Sequence, residues 1–369
     1  MSIETTKINN YVITDNKIGS GSFSKVYIGY DEITNETVAI KKISILKIND
    51  SVLEKIAIEL TILREIDHPN IVKCYDVCKT DDAWYIIMEY CDGGTLENTI
   101  KECQGITDIL SREKIVCYYL SQLKDALECI RKKKIIHRDL KPNNILLTKF
   151  KILKLADFGF ARKVTDDEES ETDLIKTICG SPLYMAPELL NDQHYHIKAD
   201  LWSFGVIMYQ LLYGHHPMDT AFNMSELRKK IKNKKINFHI YDKNYSSECI
   251  DLVSNLLEKN PIKRFNWNEL FFHEWFKNNS NIEDIDIKDI EDIKDDNLNE
   301  NKSLKPPETN LELSQDSDDY VKIDVLKTKP TKPIKINFKQ NKSYTQSLYN
   351  CVYGPISYLN SSFKNITSY

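Results

Sequence analysis

The apolar residues of this chain change their spacing near residue 100, and that change limits the fold more than any other feature. Before it they alternate, in Tyr11 to Ile18, Val26 to Tyr30, Val38 to Ile43 and Trp84 to Tyr90, as strands with one buried face do. One helical stretch interrupts them, from Val52 to Ile66. From Ser111 to Lys134 and from Leu201 to Tyr213 the spacing is that of helices, and Pro261 with Trp267 to Phe276 reads as a last helical unit. A small β-rich unit carrying one helix, followed by a larger α-rich one, is the expected layout. The length, 369 residues, accommodates one two-lobed enzyme of roughly 250–300 residues with a remainder, or two average domains.

Composition marks where the folded unit ends. Just after Lys277, Asn278, Asn279 and Ser280 lead into Glu283, Asp284, Asp286, Asp289, Glu291, Asp292, Asp295 and Asp296. We place an N-terminal extension at 1–10, one domain at 11–276, an acidic linker without fixed structure at 277–344 and a C-terminal segment at 345–369. In that last segment Tyr349, Val352, Ile356, Leu359, Phe363 and Ile366 step by three and four, as on one face of a helix, with Pro355 a better start than an interior position. Such a segment docks on the domain or frays, or else it binds a membrane surface or a partner.

A 41% apolar fraction supports a sizeable core, and a net charge of -5 offers no basic field for nucleic acid. The nine cysteines include no CxxC pair; Cys74 and Cys78, the closest two, lack partners for a zinc site and read as reduced thiols. Met1 to Tyr11 is too polar for a signal peptide, and no run approaches the ~20 apolar residues of a membrane span. A cytoplasmic protein without a transmembrane segment is expected.

Phosphoryl transfer asks a protein to hold phosphates and metal and to orient a hydroxyl, and the chain supplies each part in order. Ile18-Gly19-Ser20-Gly21 sets two glycines between strands, where backbone N–H groups can approach phosphates; alone it is more often a plain hairpin turn. Val38-Ala39-Ile40-Lys41 follows. A strand lysine usually points to water, but Glu59 on the next helix can hold this one against phosphates. His137-Arg138-Asp139-Leu140-Lys141-Pro142-Asn143-Asn144 puts three kinds of polar group on one tight loop. Asp139 suits accepting or orienting a substrate hydroxyl proton, Lys141 steadying the moving phosphate and Asn144 binding magnesium. Thirteen residues on, Asp157-Phe158-Gly159 supplies a second oxygen ligand. Glu188 and Asp200 sit in apolar surroundings and need partners, for which we expect Arg264 and the Asp139 loop respectively.

In order and spacing these motifs resemble the eukaryotic protein kinase family across residues 11–276. The resemblance implies an α+β, bilobal kinase fold. A small β-rich N-terminal lobe with a five-stranded sheet would sit over a larger α-helical C-terminal lobe, with ATP and Mg2+ in the cleft. It implies Ile18, Gly19, Gly21, Val26, Ala39 and Leu146 around the nucleotide, Met88 as gatekeeper, and Glu89 to Cys91 as the hinge that bonds adenine. Ser24 stands where the template has a third glycine. Lys141 within His-Arg-Asp-Leu-Lys-Pro, and Ser181, are marks of the serine/threonine branch. Asp157 to Arg162, Cys179 to Glu188, Lys198 to Ser203, and Met88 to Cys91 with Gly93-Gly94 resemble the autophagy-initiating kinases.

By the same resemblance Arg138 grips a phosphate carried on Thr177, and Phe160 biases the acceptor towards serine over threonine. Tyr320 and Ile323, in the stretch 317–323, resemble the short motif by which autophagy proteins bind ubiquitin-like modifiers. A catalytically silent scaffold would lack one of Lys41, Asp139, Asn144 or Asp157, and all four are present. A small-molecule or lipid phosphotransferase would not need the complete Asp157 to Glu188 segment that shapes a peptide-docking surface in protein kinases. Kinases of other signalling pathways share parts of the autophagy-type strings.

Overall fold

The alternating segments pair into one antiparallel sheet of order β1-β2-β3-β4-β6-β5, built from β1 (Thr6–Ile8), β2 (Tyr11–Ser20), β3 (Ser24–Asp31), β4 (Thr37–Ser44), β5 (Cys74–Lys79) and β6 (Ala83–Glu89). The computed structural model describes residues 6–21, 24–45, 50–164, 181–190, 197–218, 224–238 and 245–279; Thr177, Tyr320, Ile323 and the 345–369 segment lie outside them. The sheet has six strands where the resemblance implies five. The extra one, β1, is a hairpin partner of β2 through Asn9, whose φ of 54° is a left-handed turn that asparagine tolerates. β5 carries no clean alternation, because its pairing with β6 shifts register between Cys74 and Asp76.

Period two sorts the sheet's faces. Val38, Ile40, Tyr85 and Ile87 bury one side together with Tyr11 and Ile13. On the other side Ile43, Trp84 and Ile86 meet Ile56, Leu60 and Leu63 of α1 (Asp50–Glu65). Ala39 and Lys41 belong to this second face, so the helix that covers it also brings Glu59 to Lys41.

Helices α2 (Leu96–Gly105), α3 (Ile109–Lys132), α4 (Pro187–Leu190), α5 (Ala199–Tyr213), α6 (Met224–Asn233), α7 (Ser247–Leu256), α8 (Trp267–Phe271) and α9 (Glu274–Asn278) make the second lobe. α5 is apolar all round and almost wholly buried, as a central helix must be. Gly205 lets α7 approach it: a Cβ there would lie 2.9 Å from the Leu256 Cβ. The stretch Trp267 to Phe276 divides into two helices. Asn266 and Glu269 form a capping box for the first, and the His273 ring accepts the Trp275 N–H to start the second.

Two short ladders carry the polar loops on this lobe: β7 (Ile135–Ile136) with β10 (Arg162–Lys163), and β8 (Ile145–Leu147) with β9 (Leu153–Leu155). Between the lobes the chain runs from Glu89 to Leu96. Gly93 donates to the Leu147 carbonyl at 2.8 Å, and Leu147 donates to the Gly94 carbonyl at 2.9 Å. A Cβ on Gly93 would stand 2.2 Å from the Thr148 carbonyl oxygen, so no other residue fits this crossing.

Candidate active site

Lys41 lies opposite Val26 and Ile86 in the sheet, and its ammonium leaves the common face to meet the Glu59 carboxylate at 2.5 Å and Asp157 at 3.4 Å. Directly opposed residues share a face, as do residues two apart. Val26, Ala39 and Met88, through the pairs Val26–Lys41 and Ala39–Met88, therefore point the same way as Lys41. Gly19 pairs with Val26, and Gly21 closes the hairpin by donating to the Ser24 carbonyl at 2.8 Å. Ile18 is half exposed at the same end. On the large lobe Leu146 opposes Lys154, whose ammonium reaches the Glu89 carboxylate at 2.6 Å. Leu146 thus sits on the face of β8 turned towards the hinge. Cys91, on the hinge, has its thiol pushed up to about 12 by burial and by the Glu89 charge, so it is a neutral group there.

Burial alone would drive the Lys41 ammonium towards its neutral form, but the charges of Glu59 and Asp157 more than offset it and raise its pKa. Burial likewise works to raise the Asp157 carboxyl; Lys41, His137 and the Gly159 N–H together hold it below the ordinary carboxylate value. Both groups are charged at neutral pH.

The loop between β7 and β8 takes its shape from a buried carboxylate. Asp200, at the start of α5, accepts the backbone N–H of His137 at 2.8 Å and of Arg138 at 3.0 Å, the arrangement its burial led us to expect. With both amides aimed at one group, Arg138 adopts φ of 67°; Asp157 adopts 59° beside it. Left-handed backbone at two residues with side chains costs energy and persists where the surroundings over-determine it, which is typical of functional loops. His137 accepts the Asp139 N–H on Nδ1, so its Nε2 donates to the Ala156 carbonyl at 3.1 Å, and its ring edge packs on buried Phe158.

Four donors converge on the Asp139 carboxylate. The Ser181 N–H and hydroxyl each donate to Oδ1 at 2.8 Å, while Lys141 at 2.7 Å and Asn144 at 3.0 Å donate to Oδ2. Lys141 also donates to the Ser181 hydroxyl at 2.8 Å. The Asn144 amide nitrogen donates to Asp139, which fixes the orientation of its Oδ1 as a neutral oxygen ligand. Asp157 keeps 45% of its side chain exposed although Lys41 touches it. An amide oxygen and an ionised carboxylate on adjacent loops are the hard donor set that Mg2+ prefers.

Glu188 and Arg264 form the buried pair read from sequence, bidentate at 2.8 and 2.9 Å. Arg138 donates through Nε to the Phe160 carbonyl at 2.6 Å. Sequence reading missed two contributors. Lys154 has no local signature, since its partner Glu89 is remote in the chain. Asn70 joins the large-lobe ladder to the small lobe by donating to the Leu153 carbonyl and accepting the Leu155 N–H, and it too sits in an ordinary-looking turn.

A family model described as the protein kinase domain matches residues 12–276. A serine/threonine-protein kinase of Acanthamoeba polyphaga mimivirus is 48% identical over 293 residues, covering 73% of this chain and 63% of that one. The serine/threonine-protein kinase atg1 of Dictyostelium discoideum is 40% identical over 286 residues, 74% of this chain and 40% of its own. ULK3 of Xenopus laevis, likewise a serine/threonine-protein kinase, is 38% identical over 270 residues, with 72% and 55% covered. The matched part thus spans between 40% and 63% of these relatives.

Proposed function

The chain belongs to the protein kinase family, in its serine/threonine branch, and from that premise we propose that it transfers the ATP γ-phosphoryl group to hydroxyls of protein substrates. The observation that carries this reading is the convergence on Asp139 of Lys141, Asn144 and Ser181, within the same lobe as Asp157 and its contact to Lys41. Asn144 and Asp157 are the residues that would hold Mg2+, whose charge would offset that of the phosphates. Asp139 orients the incoming hydroxyl and receives its proton. Lys141, fixed between Asp139 and Ser181, supplies positive charge beside that carboxylate, and Lys41, held by Glu59, supplies it on the small-lobe side.

Incubation of the purified chain with labelled ATP and a generic basic protein tests the activity. Transfer should fall on the order of 10³-fold in Asp139→Asn, as loss of a positioned base and its charge implies. A wild-type rate in that variant would remove the assignment.

Three finer readings stand on the resemblance. Acceptor preference for serine rests on Phe160, half exposed next to Gly159, and a peptide array favouring threonine would contradict it. By the resemblance Arg138 would grip a phosphate on Thr177, and autophosphorylation there should raise activity; full activity of Thr177→Ala would exclude that switch. A role in autophagy initiation draws support from the motif strings and from the similarity to atg1 and ULK3. For it, a 312–328 peptide should bind a ubiquitin-like autophagy modifier with roughly micromolar affinity and lose binding on Tyr320→Ala or Ile323→Ala. Binding indifferent to both substitutions would dismiss the motif.

A further inference from the structure

The end of α5 directs a histidine at the turn that follows Ser181. Gly214 closes the helix with φ of 82°, donating to the Gln210 carbonyl at 2.8 Å, and a Cβ there would stand 2.7 Å from the Gln104 side chain. The left-handed cap turns the chain out of the helix axis, Pro217 prevents the helix from resuming, and His216 comes to lie against the 3₁₀ turn Pro182–Tyr184. Its Nδ1 accepts the Met218 N–H at 3.1 Å. The neutral ring therefore carries its proton on Nε2, which donates to the Leu183 carbonyl at 2.8 Å. The ring also meets Tyr184 edge to face, with centroids 6.1 Å apart.

The same turn is held from two other sides. Ser181, its first flank, is bonded to Asp139 and Lys141, and the Tyr184 carbonyl accepts the Ser203 hydroxyl at 2.7 Å. Leu183 between them leaves 40% of its surface exposed. Through Ser181 the turn adjoins Asp139, where an acceptor serine would be presented, and the Leu183 backbone is held by His216.

We propose that His216 is a positioning residue for peptide recognition: it holds the Pro182–Tyr184 turn so that Leu183 offers a preformed apolar contact to a residue adjoining the acceptor serine. This rests on the kinase reading of the Asp139 site. Nothing in the sequence marks His216 for the role, because its partner is reached only through the Gly214 cap and the burial of α5.

The test is a degenerate serine-peptide library, each amino acid fixed in turn at the positions adjoining the serine, phosphorylated by the full chain and three variants. Wild type should select an apolar residue at one adjoining position. His216→Ala and His216→Phe should lower that selection about fivefold to tenfold, the scale of one lost hydrogen bond, through a higher peptide KM with kcat and the KM for ATP within about twofold. His216→Gln, which retains a donor for the Leu183 carbonyl, should stay near wild type. Unchanged selection in the alanine and phenylalanine variants overturns the proposal, as does retention by phenylalanine with loss by glutamine, which would assign the effect to ring packing. A fall in kcat at unchanged peptide KM overturns it too. Wild-type phosphorylation without selection at either adjoining position removes this inference alone, whereas no phosphorylation of any peptide removes the kinase reading beneath it.

Discussion

Glu59 and then Asp157 hold the Lys41 ammonium in its charged form, Lys41 in turn helps to hold the Asp157 carboxylate, and the two shifts fix a pH window. The Asp157 carboxyl is held below its ordinary 3.8, so its contribution to stability is present above that value and is lost as pH falls through the lowered folded-state value. The Lys41 ammonium is raised above its ordinary 10.5, so its contribution is complete below that value and is lost as pH rises through the folded-state value. The pair should therefore stabilise at full strength from about pH 5 to pH 9. Unfolding midpoints of wild type and Asp157→Asn, measured across pH, should differ by a constant amount in that window and converge as pH drops below about 4. A constant difference down to pH 2 would show that the carboxylate charge plays no part.

Among the elements, α5 organises the large lobe twice over. Its first turn carries Asp200, which sets the catalytic-loop backbone, and its last turn ends at the Gly214 cap, which sets His216. Next to it Arg264 is fully buried, stacks over Trp202 at 5.3 Å, and ties α4 to the segment after α7 through Glu188. It also donates to the Glu258 and Lys198 carbonyls. Arg264→Ala removes one partner and leaves the Glu188 carboxylate buried without compensation. The expected loss is about 3–5 kcal/mol in denaturant unfolding, the range for breaking a buried pair from one side. Replacing both residues with apolar ones of similar volume should cost less than Arg264→Ala alone; a larger cost would mean that the pair is not the source of the loss.

Across the whole molecule, the lobes are linked at the hinge by charge as well as by chain. Lys154 of the large lobe meets Glu89, whose other carboxylate oxygen accepts the Lys73 N–H at 3.2 Å while its own N–H donates to the Lys73 carbonyl. Both side chains are more than four fifths buried. Lys154→Met should destabilise by about 1–3 kcal/mol, because a largely buried carboxylate loses its cation. Combined with Glu89→Gln, the total loss should fall short of the sum of the two single losses, and strict additivity in that cycle would show that the two groups do not interact. Among the described residues no helix is long and apolar enough to cross a membrane.

Local pattern determined a great deal by itself. Periodicity placed four of the six strands, the helix with Glu59 and the central helix within a few residues, since which face an element buries is written in its own spacing. The polar loop from His137 to Asn144 was legible for a similar reason: Asp139, Lys141 and Asn144 lie so close in sequence that one tight turn must bring them together. What tertiary structure alone decided was every pairing between distant positions. α1 ends with Glu65, which meets Lys163 at 2.7 Å, while Glu59 one face away takes Lys41; the helix sequence does not say which carboxylate points where until the sheet fixes its rotation. The shifted register of β5, the edge strand added by β1, the Lys154–Glu89 clasp and the reach of His216 to Leu183 have the same origin. Each depends on how one element is set against another, and that relative placement is settled by the packing of whole faces, which no short stretch of chain contains.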